Sequence, residues 1–180
     1  MMMPLLDDLL PCFTFRERHA VAIHATGQVI LDCVSRYRAH DDPLIRIAIS
    51  MREKPARLLG LSQRRTLDLD AFIPLGRVGD QEMAMGLVGA FWRMDYGLLD
   101  IASRADFAAC RRRDVCRLVM GFRVEHAAGG QSLLVTETRI SCPTPALRRR
   151  FAPYWYLIRP VSGLIRRRML ARIRQQAEAA

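Results

Sequence analysis

The chain has 180 residues, of which 51% are hydrophobic, enough for one domain with a sizeable core. No apolar run approaches the roughly 20 residues of a membrane span, so any membrane contact is expected to be peripheral, and five widely spaced cysteines without a CxxC pair argue against a disulfide framework or a zinc knuckle. The net charge of +10 is unevenly placed: residues 143–180 hold nine arginines and one glutamate, which leaves the first 142 residues nearly neutral. A neutral body closed by a basic segment raises nucleic acid, an anionic membrane or an anionic ligand as partners.

From Met1 to Phe13 a short apolar run is broken by Asp7 and Asp8 and lacks the basic start and apolar centre of a signal peptide. Residues 1–12 are therefore expected to be a flexible segment, and the protein cytoplasmic. Phe13 to His24 then alternates, with Phe15, Glu17, His19, Val21 and Ile23 on one face and Arg16, Arg18, Ala20, Ala22 and His24 on the other, the period of a strand. Thr26 suits a helix N-cap, and Val29, Ile30, Cys33, Val34 and Tyr37 follow at helical spacing. Asp42-Pro43 opens a second helix whose apolar stripe ends near Pro55 or resumes briefly through Leu58 and Leu59 to Gly60, and residues 61–70 read as a polar connection.

Strand-like segments occupy the next part of the chain. Phe72–Leu75 and Gln81–Trp92 flank Gly76-Arg77-Val78-Gly79-Asp80, which has the composition of a hairpin turn, and Asp95–Asp100 is expected to add a strand. Ala105–Arg112, rich in alanine and without β-branched residues, predicts a short helix or a turn. Cys116, Leu118, Met120, Phe122 and Val124 alternate with Arg117, Val119, Arg123 and Glu125, and after Ala127-Ala128-Gly129-Gly130 a strand returns from Ser132 to Ser141. Finally Tyr154, Ile158, Val161, Ile165, Met169 and Ile173 form a helical stripe, with Arg159, Arg166, Arg167 and Arg174 on the opposing arc. Pro153 and Pro160 each remove a backbone bond, so this helix is expected to start late or to kink.

The order strand, two helices, antiparallel strands and one long terminal helix is similar to the helix-grip fold of the START-related (SRPBCC) superfamily, which includes the birch-pollen-allergen group, polyketide cyclases and lipid carriers. FRERHAVAIHAT (Phe15 to Thr26) resembles its first strand and entry into the first helix. LLVTETRISC followed by RRRFAPYWYLIRPVSGLIRRRML resembles the last strand and long helix of a bacterial branch of it. The resemblance implies an α+β domain spanning residues 1–180, in which a curved antiparallel sheet wraps a long C-terminal helix with an apolar cavity between them. It implies binding or transport of a hydrophobic or amphipathic small molecule, with no cofactor. By position the lining would be Met83, Met85, Trp92, Met120, Phe122, Ile158, Val161, Ile165 and Met169, unless these side chains simply fill a solid core.

Chemistry is sparse beside this. His19, His24, His40 and His126 show no metal-ligand spacing, and no GxSxG surrounds a serine, so no metal site and no serine hydrolase is indicated. Glu137 and Arg139 share one face of the last strand with Leu133 and Val135, and both faces mix polar with apolar residues. Glu137, or Glu82 beside Met83 and Met85, would be an acid or base of a cyclase or dehydratase if directed into a cavity, and otherwise part of an outer salt bridge. No motif commits the chain to catalysis. Absence of a recognition-helix motif or a base-stacking aromatic array argues against nucleic acid. Tyr154, Trp155 and Tyr156 beside the arginine runs instead suit an interaction module that docks on an anionic membrane.

Overall fold

The computed structural model describes residues 4–37, 71–93, 96–127 and 130–180. The helix expected from Asp42-Pro43 and the connection at 61–70 lie outside the described residues. Helix α1 (Pro4–Leu9) leads to β1 (Phe15–Ile23) and α2 (Gly27–Arg36). Strands β2 (Ile73–Val78) and β3 (Glu82–Gly89), helix α3 (Arg104–Ala109), strands β4 (Cys116–His126) and β5 (Ser132–Ser141), and helix α4 (Pro145–Glu178) are the other elements among the described residues. The five strands form one open antiparallel sheet in the order β1-β5-β4-β3-β2. The architecture is α+β, with a long C-terminal helix against one face of the sheet.

Local sequence accounts for most of these elements. The Thr26 hydroxyl accepts a hydrogen bond from the Val29 amide and Thr144 does the same for Leu147, each satisfying one of the open donors at a helix start. Pro145 occupies the first turn of α4, where its missing N–H costs nothing. The helix then runs unbroken through Pro153 and Pro160 and begins at Pro145, earlier than the prolines led one to expect. Both prolines are on its exposed side, where water can satisfy the carbonyls they leave open. Gly27 begins α2 so close to the β2–β3 turn that a Cβ there would stand 2.4 Å from the Asp80 carbonyl oxygen.

Period-two alternation assigns each sheet residue to one of two faces, and both faces are covered. On one, Ile23, Met120, Phe122, Val124 and Leu134 pack against α2 and against Met169, Leu170 and Ile173 of α4. On the other, Leu75, Ala84, Val88 and Val119 meet Leu5, Leu6, Leu9 and Leu10 from the α1 segment and Phe107 from α3. Residues 4–10 are thus a packed element, contrary to the flexible segment expected over 1–12. Two glycines make room for this second layer: at Gly121 a Cβ would meet Leu6 at 2.1 Å, and at Gly86 it would meet Leu75 at 2.6 Å. A third cluster joins Phe15, Phe91, Leu147, Phe151 and Trp155 at the start of α4.

Two further expectations change. Residues 96–100 form a turn and irregular chain rather than a strand, with Tyr96 at φ 58° and Gly97 at φ 46° breaking the extended backbone. The β2 strand continues through Val78, so the hairpin turn is confined to Gly79–Gln81, with Gly79 at φ 52° supplying the left-handed position.

Candidate functional site

The face of the sheet toward α4 carries a polar patch within apolar surroundings. Glu17 and His19 come from β1, Thr136 and Thr138 from β5, and Met120 and Phe122 from β4. Cross-strand register sets them side by side: Glu17 lies opposite Thr138 and His19 opposite Thr136, while Thr138 lies opposite Met120 and Thr136 opposite Phe122. The middle of α4 lies over the β1 edge of this patch. His19 Nε2 and Glu17 Oε1 are 2.9 Å apart, and the Ser162 hydroxyl donates to Glu17 Oε2 at 3.3 Å. Gly163 allows the close approach, since a Cβ there would stand 3.2 Å from Glu17 Oε1.

Two groups in the patch are poorly served by the protein. Thr136 is 1% exposed and its hydroxyl has no hydrogen-bond partner. Arg166 turns its guanidinium inward against Met120 Sδ, and no carboxylate lies within ion-pair distance of it among the described residues. Burial pulls its pKa from the usual arginine value to about 10, with Glu17 opposing the shift, so it remains charged at neutral pH. A partly buried cation facing a sulfur and a buried unsatisfied hydroxyl are each costly, and together they favour an acceptor-bearing or anionic group brought in from outside.

The structure separates the expected lining residues into three sets. Met120, Phe122 and Met169 are buried in the core between sheet and α4, with Met83, Met85 and Ile165 packed against them. Ile158 is partly buried, whereas Trp92 sits away from this set, its ring 6.0 Å from that of Phe151. Val161 is 45% exposed and does not face the sheet. The inward side of α4 runs through Leu147, Phe151, Trp155, Gly163, Met169, Leu170, Ile173 and Ala177, so the predicted stripe is rotated by one residue over its first half. It is rotated because the sheet below mid-helix is polar, and Ser162, Gly163 and Arg166 face it in place of apolar side chains.

Both candidate acids lie on the opposite face, under α1. Glu82 Oε2 accepts from the Leu5 amide at 3.0 Å, and Arg123 Nε is 3.6 Å from its other oxygen. Glu137 is gripped by Arg16 and Arg139, each at 2.7 Å, and Arg139 also reaches Asp7 at 2.7 Å. Burial pushes the Glu137 carboxyl up, but the hydrogen bonds and charges of the two guanidiniums outweigh it and hold the pKa below the ordinary carboxylate value. A carboxylate so paired is a poor proton carrier near pH 7, and neither glutamate reaches the α4 face. Glu17, His19, Thr136 and Arg166 are the polar residues that the sequence reading passed over. Their signal was present, because Glu17 and His19 interrupt an otherwise apolar face of β1.

A groove of about 550 Å³ opens between β1 and the second half of α4, lined among others by His19, Val21, Arg167, Leu170 and Arg174, and it brings solvent to the His19 side of the patch. Among the described residues no group of three or more His, Cys, Asp or Glu side chains converges as a metal ion would require, and no helix is long and apolar enough to cross a membrane.

No family model matches the chain, and no curated protein matches it. Among solved structures it is similar to one described as the crystal structure of TTHA0849 from Thermus thermophilus. The alignment has 10% identity and a TM-score of 0.30, and covers 92% of this chain and 98% of the other.

Proposed function

We propose that this chain is a helix-grip protein of the START-related kind that binds an amphipathic small molecule bearing an anionic or strongly accepting group, on the sheet face beneath α4. The observation that carries this reading is the inward Arg166 guanidinium, charged and without a carboxylate partner among the described residues, over the sheet face that also bears the orphan Thr136 hydroxyl and an apolar wall of Met83, Met85, Met120 and Phe122. The polar end of the ligand satisfies Arg166 and Thr136, and its apolar body lies along the methionines, whose flexible side chains adapt to irregular shapes. The cyclase alternative loses its candidate acids, since Glu137 is held by Arg16 and Arg139 and Glu82 by the Leu5 amide, both on the far side of the sheet.

Native mass spectrometry with organic extraction tests the reading, using oleate and dodecyl phosphate as added probes. A hydrogen bond to a charged group contributes about 1.5–3 kcal/mol, so Arg166→Leu is expected to weaken probe binding about 10- to 100-fold. Thr136→Val is expected to stabilise the empty protein by about 1 kcal/mol while weakening binding. A protein that purifies empty and takes up both probes equally in wild type and Arg166→Leu would overturn the assignment.

A second element of the proposal concerns the outside of α4. Leu157 is 80% exposed, and with Val161, Leu164 and Tyr156 it forms an apolar line on the solvent side of the helix. Exposed Arg150 and Arg167 stand at its two ends. An apolar line between exposed cations suits the headgroup region of an anionic bilayer, from which an amphipathic ligand would be collected. Flotation with phosphatidylserine vesicles is expected to retain the wild type, and Leu157→Ser/Leu164→Ser is expected to lose it. Equal retention of the two, or equal retention by neutral phosphatidylcholine vesicles, would remove membrane docking from the account.

A further inference from the structure

Cys116 is the first residue of β4, and Cys142 is the residue that follows β5. The two strands are antiparallel with Arg117 opposite Ser141, so the next residues outward, Cys116 and Cys142, face each other. Their sulfurs are 3.2 Å apart and both are free thiols. Directly opposed residues of an antiparallel pair have Cα atoms about 4.5–5.5 Å apart, inside the range that a disulfide spans. The two environments differ. Cys116 is fully buried in the cluster of Phe15, Leu147, Phe151 and Trp155, whereas Cys142 lines an open groove of about 480 Å³ with Phe13, Thr14, Pro143, Thr144, Pro145 and Arg148.

We propose that Cys142 and Cys116 are a peroxide-sensitive thiol pair, Cys142 being the attacking sulfur and Cys116 the resolving one. In the first step the Cys142 thiolate attacks one oxygen of hydrogen peroxide and the O–O bond breaks. Cys142 becomes a sulfenic acid, a two-electron oxidation, and the other oxygen leaves as hydroxide and takes up a proton to become water. In the second step Cys116 gives up its proton and its sulfur attacks the Cys142 sulfur. The S–O bond breaks, hydroxide leaves with that proton as water, and a disulfide remains.

The surroundings divide the roles in this way. A hydrogen bond from Cys116 lowers the Cys142 pKa, burial opposes this, and Thr14 and the Arg148 charge lower it further. The same hydrogen bond, and then burial, push the Cys116 thiol up. Of the two sulfurs, the one that the groove reaches is therefore the more readily ionised, as a reactive cysteine requires, and the less acidic thiol stands beside it. Oxidation would tie the start of β4 to the chain immediately before Thr144, the cap of α4, and so fix the point from which that helix departs.

The test uses the full, reduced protein at pH 7. It is titrated with hydrogen peroxide, blocked with N-ethylmaleimide, digested and mapped by mass spectrometry. The expected product is a peptide pair linked through Cys116 and Cys142 that forms ahead of oxidation at Cys33 and Cys110 and is reversed by dithiothreitol. In Cys116→Ala the reaction is expected to stop at a Cys142 sulfenic acid, captured by dimedone. The wild-type map decides the matter by itself if that variant folds poorly. Recovery of both sulfurs as maleimide adducts while exposed Cys12 oxidises would overturn the proposal, and so would dimedone capture at Cys142 in wild type with no linked product.

Discussion

Replacing Glu137 by alanine is expected to cost the fold about 3–5 kcal/mol, because it leaves the buried Arg139 without the buried one of its two counter-charges. Glu137 is 1% exposed and bridges Arg16 to Arg139, and Arg139 in turn reaches Asp7 and the Leu10 carbonyl, so the loss is felt from β1 to α1. Urea denaturation at pH 7 measures it, and a loss under 1 kcal/mol would mean that the ion pairs contribute no more than exposed ones do. The pH dependence has a definite sign. The folded pKa of Glu137 lies below its ordinary value of 4.5, so the contribution is complete above pH 4.5 and disappears as pH falls through the folded value. The stability gap between wild type and Glu137→Gln should hold constant from pH 7 to about 5 and narrow below that.

Phe151→Ala is expected to be comparably damaging, at about 3–5 kcal/mol. The ring is fully buried and packs edge-on against Phe15 at 5.3 Å, with Tyr154 at 5.5 Å, Trp92 at 6.0 Å and Trp155 at 6.3 Å. Removing it opens a cavity where α4 meets the end of the sheet, and neighbouring rings held by one another cannot collapse into it. Leu157→Ala, on the exposed side of the same helix, should change stability by no more than about 0.5 kcal/mol. Thermal denaturation of the two variants side by side separates the inward side of α4 from the outward one. If both were equally mild, the first half of the helix would not be anchored where the aromatic cluster places it.

Sequence reading succeeded where one face of an element is apolar and the other is not. The β1 alternation from Phe15 to Ile23, the Thr26 cap of α2 and the alternation of β4 all appear in the structure as expected. It failed where a second layer of protein replaces solvent. Both sides of β5 are buried, so Glu137 and Arg139 gave no contrast by which to choose a face, and they turned out to be a buried ion-pair centre under α1. The same layer hid α1 itself: in the sequence Asp7 only breaks a short apolar run, yet it answers Arg139 across 132 positions. For α4 the error was to assume that a helix presents its most apolar stripe to a sheet. Below its middle the sheet offers Glu17 and His19, and the helix answers with Ser162 and Arg166.

The β1–β5 pairing has a cost in time. Phe15 lies opposite Ile140 and Ile23 opposite Ser132, and β5 is the neighbour of β1 in the sheet. During synthesis β1 therefore emerges well before its partner, and at usual elongation rates it waits on the order of ten seconds as an unsatisfied strand. Such a segment invites pairing with the wrong chain. Arg16 and Arg18 on one side of it, and Glu17 and His19 on the other, keep both of its surfaces charged or polar through that interval. The residues that later line the polar patch and hold the ion-pair centre thus also serve as gatekeepers for a nascent chain whose closing contacts span nearly its whole length.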